Sequence, residues 1–487
     1  MDNKPNVLLL IIDGFRADRC FGKKKTSITP NLDRILKEGT YFTENITAAP
    51  VTIPSMSSII TSLYPFRSIT EDNTLFNLNT NVENYITKLR EVGYNAYATL
   101  PESLSLSKIP SLFVEGAESF PYTMTSYNGL GEKIVKKIKL RGLKEPWIYY
   151  VHLYDLYVGT SFDISEGELH EILTDKRYGA NKYERILSAM DKWIGKITDS
   201  INQENTIFIL SGDHGTDMGD YDEELESWFK KNYEIRTSSK PGIPLKIGIK
   251  LGKKSPRFLK QVRKKLSKKI IDKKFDSTLH DYILPEREKI DQMEIPSYKK
   301  RVLKNAIFTM SQVFDDRFRV PLFFMGSKIP KNKIITKQSR SIDIFPTIID
   351  IGNIPINLKQ IDGKSLSKLM MDETVSEEPA LLESARNSPK MLSDNTIAVR
   401  TSDYKYFRDR NNPKENVHLY NLKRDPLEEE NIAENNPKII KEMEEILQNL
   451  QNENDFSYNK GKNLTDEENK KVEDELKSKL LIWINRD

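Results

Sequence analysis

Four side chains suited to one chemistry stand far apart in the sequence: Asp13, Thr52, Asp213 and His214. Two carboxylates and an imidazole are good ligands for one divalent metal ion such as Mn²⁺, Zn²⁺, Mg²⁺ or Ca²⁺. A free threonine hydroxyl is a poor nucleophile at neutral pH; coordination to such an ion acidifies and orients it. Thr52 opens the stretch TIPSMSSIITSLYP (52–65). If a helix starts there, its first N–H groups and the positive end of its dipole would hold a phosphoryl or sulfuryl group. The alternative is that Thr52 N-caps that helix, with Pro54 in its first turn. Both roles fit one geometry, and the sequence leaves both open. Asp213 and His214 lie in SGDHG, where Gly212 and Gly215 let the backbone turn beside the ligands. Alone, such a triplet reads first as a polar turn, and only the rest of the chain gives it more weight.

These residues need elements to carry them. NVLLLIID (6–13) is a continuous apolar run ending in an acid, the pattern of a strand buried on both faces. EPWIYYVHLYD (145–155) and TIFILSGDHG (206–215) repeat it, and RVPLFFMG (319–326) is a further strand. Between them come helical segments: TPNLDRILKEG (29–39), capped by Thr29 and stopped by Gly39; NVENYITKLREVG (81–93); YERILSAMDKWIGKITDSI (183–201); and SIDIFPTIIDIGNI (341–354). Alternating strands and helices predict an α/β fold with a mixed, mostly parallel central sheet between helices. Ligands bind such sheets beyond the carboxyl ends of the strands, where Asp13, Asp155, Asp213 and His214 would converge.

Two regions break the rhythm. Residues 220–305 are polar and lysine-rich. Within them, 246–274 holds about 13 basic residues against one acid, with Phe258, Val262, Leu266 and Ile270 at every fourth position. That is a narrow apolar stripe on a basic helix, suited to an anionic membrane surface or polymer, or to packing on the domain. From about 386 the strands shorten, and 386–450 reads as a small C-terminal antiparallel subdomain. Residues 451–487 form a charged helical tail, and 1–385 a catalytic domain with the basic insert.

The 487 residues are 38% hydrophobic, enough for a large core, and the net charge of +4 discriminates little among partners. The single cysteine, Cys20, excludes an internal disulfide framework and a multi-cysteine metal site. Val7–Ile12 is too short to span a membrane and lacks the flanks of a signal peptide. The expectation is a cytoplasmic protein, with peripheral membrane contact through the insert. No nucleic acid is expected, because the insert has little aromatic interleaving.

Taken in order, these segments resemble the sulfatase branch of the alkaline phosphatase superfamily. NVLLLIIDGFRAD resembles the opening strand with its metal-binding acid, and TPNLDRILKEGTYFTENITAAPVTIPSMSSIITSLYP the segment around the nucleophile. SGDHGTDMGD resembles the second ligand pair; FRVPLFFMG, IDGKSL and LYNLKRDPLEEEN resemble the closing elements. The resemblance runs over about 5–219 and 306–445 and implies a sulfatase-like sandwich fold. Sulfatases carry C/S-x-P-S-R, whose first residue becomes formylglycine; here the motif is Thr52-Ile53-Pro54-Ser55-Met56. Threonine cannot give that aldehyde. The family's paired acids are Asp13-Gly14 here, the pocket histidine is Tyr157, and the pocket lysine is not evident. These departures resemble the metal-dependent phosphotransferases of the superfamily, the lipoteichoic acid synthases and phosphoethanolamine transferases. That likeness implies Asp13, Thr52, Asp213 and His214 around one metal ion, with Thr52 as nucleophile.

The expected activity is therefore hydrolysis or transfer of a phosphate (or sulfate) ester through a covalent intermediate on Thr52. The expected substrate is an anionic ester, on a glycan or lipid head group. His152, Asp155 and Tyr157 are the candidates for substrate contact, although His152 also reads as a buried structural histidine. The alternatives are a formylglycine-independent sulfuric ester hydrolase, or a degenerate member that binds an anionic glycan without turnover.

Overall fold

The structure is a computed structural model. It describes residues 4–220 (except 73–74, 106, 115, 122, 141 and 162–163), 284–307, 313–384 and 396–452. The basic stripe at 246–274 and the tail beyond 452 lie outside the described residues. The chain divides into two compact units. Of the described residues, the second unit holds 284–307, a pair of helices, Leu284–Asp291 and Ser297–Ile307, in which Lys300 Nζ donates to the Asp291 carbonyl at 2.8 Å. All other described residues belong to the first unit.

The first unit is built on strands β1 (Asn6–Ile12), β2 (Gly39–Ile46), β3 (Ile69–Asp72), β4 (Leu75–Leu78), β5 (Asn95–Pro101), β6 (Gly116–Phe120), β7 (Trp147–Leu153), β8 (Thr206–Gly212), β9 (Arg319–Gly326), β10 (Lys333–Ile335) and β11 (Ser339–Arg340). Strands β3 and β4 pair as a separate hairpin. The others form one sheet in the order β10-β2-β9-β8-β1-β7-β5-β6, with β11 also beside β2. Within it β9 pairs antiparallel with both β2 and β8, and the other pairings are parallel. The mixed, mostly parallel sheet expected from the apolar runs is thus present.

The run Val7–Ile12 is continuous because both faces of β1 are covered. Val7, Leu9 and Ile11 pack with Met56, Ile59, Ile86 and Ile348 from helices Thr52–Thr61, Tyr85–Glu91 and Ile344–Ile351. Leu8, Leu10 and Ile12 pack with Ile35, Ile134, Ile186 and Ile194 from helices Pro30–Glu38, Leu130–Lys139 and Lys182–Thr198. One local expectation fails. Thr29 precedes the helix Pro30–Glu38, but its side chain makes no capping bond. The buried Asp191 carboxylate accepts from the N–H groups of Asn31 and Leu32 at 2.9 and 2.8 Å, so the cap comes from another helix.

A second sheet, β12 (Ala380–Glu383), β13 (Thr396–Arg400), β14 (Tyr404–Asp409) and β15 (His418–Asn421), is antiparallel throughout. One face packs Leu381, Val399 and Leu419 on Met443 and Leu447 of the helix Pro437–Asn452. The other sets Leu382, Ala398 and Phe407 against Ile46, Phe314 and Phe318. Its first strand starts at Ala380, ahead of the change of pattern read near 386.

Candidate active site

Parallel pairing places the ends of three strands side by side. Ile12 is opposite both Leu153 and Gly212, so Asp13, Tyr154 and Asp213 each stand one residue past a strand. The loop after β2 leads into the helix Thr52–Thr61. The helix begins after Val51, and no side chain caps it. Thr52 Oγ1 instead lies 3.1 Å from Asp13 Oδ2 and 3.2 Å from His214 Nε2. The capping reading of Thr52 therefore fails: its hydroxyl is turned away from its own helix, toward the acid and the imidazole.

The loops are held from several sides. Gly14, with φ +69°, donates its N–H to Asp213 Oδ1 at 3.2 Å, where the family resemblance expects a second acid. The His214 N–H donates to the same oxygen at 2.7 Å. Thr47 Oγ1 donates to the Asp213 carbonyl at 2.7 Å, and Ser55 Oγ donates there too, tying the Thr52–Thr61 helix to the β8 loop. A Cβ on Gly215 would stand 2.1 Å from the Asp316 carbonyl oxygen, so close backbone approach requires glycine there. Tyr183 Oη donates to the Gly14 carbonyl at 2.9 Å and accepts from the Arg16 N–H at 3.0 Å.

The donor set is that of a cation site. Ligand atoms of Asp13, Asp213 and His214 all lie within 4.8 Å of one another. His214 Nε2 is 3.9 Å from Asp13 Oδ2 and 3.4 Å from Asp213 Oδ2. His214 Nδ1 lies 2.8 Å from the Gly215 carbonyl, which requires the proton on Nδ1 and leaves the Nε2 lone pair for a ligand. Asp213 is wholly buried, and its Oδ2 has no hydrogen-bond partner. Among the described residues the ion pairs of Asp13 and Asp213 are with histidine rings alone. Burial, then the neighbouring Asp213 charge, pushes the Asp13 carboxyl up to about 7. Two buried carboxylates, an orphaned oxygen and an available imidazole lone pair fit a divalent ion.

Of the substrate-contact candidates, Tyr157 reaches the surface, 41% exposed, its ring 5.7 Å from that of Tyr154. His152 and Asp155 are buried beneath it. His152 is fully buried in β7, its Nε2 3.7 Å from Asp213 Oδ2, and burial lowers it to about 4. Asp155 is buried and accepts from the Ser126 N–H at 2.9 Å and from its hydroxyl, so it holds a turn. Burial raises its carboxyl to about 6, against the pull of the Ser126 bonds. Met56, in the place of the sulfatase arginine, is buried in the core beside Ile59 and Ile11. The reading of the sequence missed Tyr154. Its phenol accepts from Ser103 Oγ at 3.0 Å, and its ring lies 5.4 Å from that of His152. The available signal was its place one residue past β7, in the row of Asp13 and Asp213.

The sulfatase family profile matches residues 5–354, and the profile of the C-terminal part of N-sulphoglucosamine sulphohydrolase matches 305–453. Arylsulfatase K of Gallus gallus is 27% identical over 161 residues, 31% of this chain and 29% of its own length. The multifunctional alkaline phosphatase superfamily protein PehA of Trinickia caryophylli is 34% identical over 98 residues, 19% of each chain. The chain spans under a third of the length of these curated relatives. Among solved structures, the provisionally assigned sulfatase yidJ of Bacteroides fragilis aligns over 93% of this chain and 96% of its own, with TM-score 0.61 and 15% identity. A protein solved with its substrate D-glucosamine-2-N,6-O-disulfate aligns over 93% of this chain and 98% of its own, with TM-score 0.57 and 14% identity shared across the fold. At such identities the likeness is one of fold.

Proposed function

This chain belongs to the sulfatase family, and from that premise we propose that it is a metal-dependent hydrolase of anionic sulfuryl or phosphoryl esters with Thr52 as nucleophile. The observation that carries this reading is the position of Thr52 Oγ1, 3.1 Å from Asp13 Oδ2 and 3.2 Å from His214 Nε2 at the start of a helix. Asp13, Thr52, Asp213 and His214 would hold the divalent ion. When bound, it acidifies a coordinated hydroxyl and offsets negative charge on the ester.

The chain's own groups do the rest. Asp13 accepts from the Thr52 hydroxyl and orients it. The first N–H groups of the Thr52–Thr61 helix lack acceptors within the helix and favour the anionic group. Thr52 Oγ1 bonds to sulfur or phosphorus as the bond to the departing alcohol breaks, and that alcohol takes up a proton. Water then cleaves the threonine ester and restores the hydroxyl.

The family and a fold neighbour solved with a sulfated glucosamine support a sulfate ester on an anionic saccharide. A second reading, a phosphate ester, is favoured by Thr52 and Met56 in place of the formylglycine precursor and its arginine. The test is release of 4-nitrophenol from its sulfate, phosphate and bis-phosphate esters by wild type and Thr52→Ala, with each of Mn²⁺, Zn²⁺, Ca²⁺ and Mg²⁺. Metal-dependent turnover lost in Thr52→Ala supports the proposal, and the ester consumed selects between the readings. Turnover that survives Thr52→Ala overturns it.

A further inference from the structure

Two buried polar atoms face each other beneath the site. His152 Nε2 and Asp213 Oδ2 lie 3.7 Å apart, and neither has a hydrogen-bond partner. A metal ion accounts for the Asp213 oxygen. It does not account for His152, which falls outside the set of donors gathered within 4.8 Å. The ring is fully buried, with Nδ1 2.6 Å from Tyr150 Oη. The Tyr150 ring is itself fixed by stacking on Phe113 at 5.9 Å.

The hydrogen-bond inventory selects the tautomer. With the proton on Nδ1, the buried Tyr150 hydroxyl would face a donor, and the Nε2 lone pair would face a carboxylate oxygen. With the proton on Nε2, Tyr150 donates to Nδ1 and the Nε2–H points at Asp213 Oδ2. The second arrangement serves both ends of the ring. At 3.7 Å the Nε2 contact is electrostatic rather than a full hydrogen bond, yet in a buried setting it favours the charged carboxylate in this orientation.

We propose that His152 is a positioning residue for the metal site: Tyr150 sets its tautomer, and its Nε2–H holds Asp213 Oδ2 toward the ion. The inference rests on the reading of Asp13, Asp213 and His214 as metal ligands. It also completes the restraint of Asp213, whose Oδ1 is fixed by the N–H groups of Gly14 and His214. Partners of this kind, one step removed from the ion, tune affinity by about 10–100-fold.

The test is a Mn²⁺ titration of the full chain, following the paramagnetic resonance signal of free Mn²⁺, with thermal unfolding in chelator as the check on folding. His152→Leu should weaken binding by about 10–100-fold. His152→Gln, whose amide N–H can occupy the place of Nε2–H, should recover most of it, and Tyr150→Phe should fall between. Wild-type affinity in His152→Leu overturns the inference. So does an equal loss in His152→Gln and His152→Leu when both melt like wild type, since that marks a packing role. If His152→Leu does not fold, wild-type affinity in Tyr150→Phe is the overturning result. Failure of the wild type itself to bind Mn²⁺ removes the metal reading of the site, a result distinct from intact wild-type binding that the variants leave unchanged.

Discussion

Two clusters of buried and half-buried charge in this molecule are built on opposite plans. Where the two sheets meet, Asp315, Glu44 and Glu428 are matched by Arg319, Arg400 and Lys405. Arg400 lies 2.8 Å from Asp315, Arg319 lies 2.6 Å from Glu44, and Lys405 lies 2.7 Å from Glu428 and pairs with Asp315. At the carboxyl edge of the central sheet, Asp13 and Asp213 share a small space with imidazoles but, among the described residues, with no arginine or lysine ion pair. The first cluster supplies its own countercharge. The second leaves a surplus of negative charge and an orphaned oxygen for something that enters from outside. Buried charges persist in folded proteins when paired or when they coordinate metals, and the two clusters fit these two arrangements.

The comparison can be broken first at Thr52, the proposed nucleophile. Thr52→Ala should reduce metal-dependent ester turnover by about 10⁴-fold or more while leaving the melting temperature near that of wild type. The rate and a melting curve on the same sample check this. Next, Asp315→Asn should destabilise the fold by about 3–5 kcal/mol, because it strands buried cations, and leave Mn²⁺ affinity unchanged. Burial works to raise the Asp315 carboxyl, but Arg400 and then Lys405 prevail and hold it well below the usual range. A depressed folded-state value gives stability that is present above the unfolded carboxylate value and lost as pH falls. Wild type should therefore lose stability below about pH 4 more steeply than Asp315→Asn, measured by denaturant unfolding across pH.

Asp213→Asn sharpens the contrast. It relieves like-charge crowding, so without metal the variant should be at least as stable as wild type. Saturating Mn²⁺ at about 100 times its dissociation constant should stabilise the wild type by about 2.7 kcal/mol and the variant far less. Thermal shift with and without metal reads both. The smallest expected effect is that of Ser55→Ala, which removes one donor to the Asp213 carbonyl while Thr47 retains the other. A loss of about 1 kcal/mol in stability is expected, from chemical denaturation.

The four candidate site residues were legible because each sits where local pattern changes. Asp13 and Asp213 end apolar runs, and Thr52 opens a helix. What local pattern does not carry is long-range. Nothing in RVPLFFMG says that β9 runs against β2 and β8, since apolar runs look alike in either direction. Thr29 has the residue type of a cap, yet Asp191, some 160 positions away, does the capping. His152 and Asp155 were read as substrate contacts from their place near a strand end. In the structure His152 turns under Asp213, and Asp155 turns to Ser126. Tyr154, two positions past His152, stands one residue past its strand, in the row of Asp13 and Asp213.

The most direct test of the central claim is an anomalous difference map from a crystal of the full chain soaked in Zn²⁺. The account predicts one peak about 2.0–2.2 Å from Asp13 Oδ2, Thr52 Oγ1, Asp213 Oδ2 and His214 Nε2. A map with no peak between these side chains, or with Zn²⁺ bound only elsewhere, would contradict it.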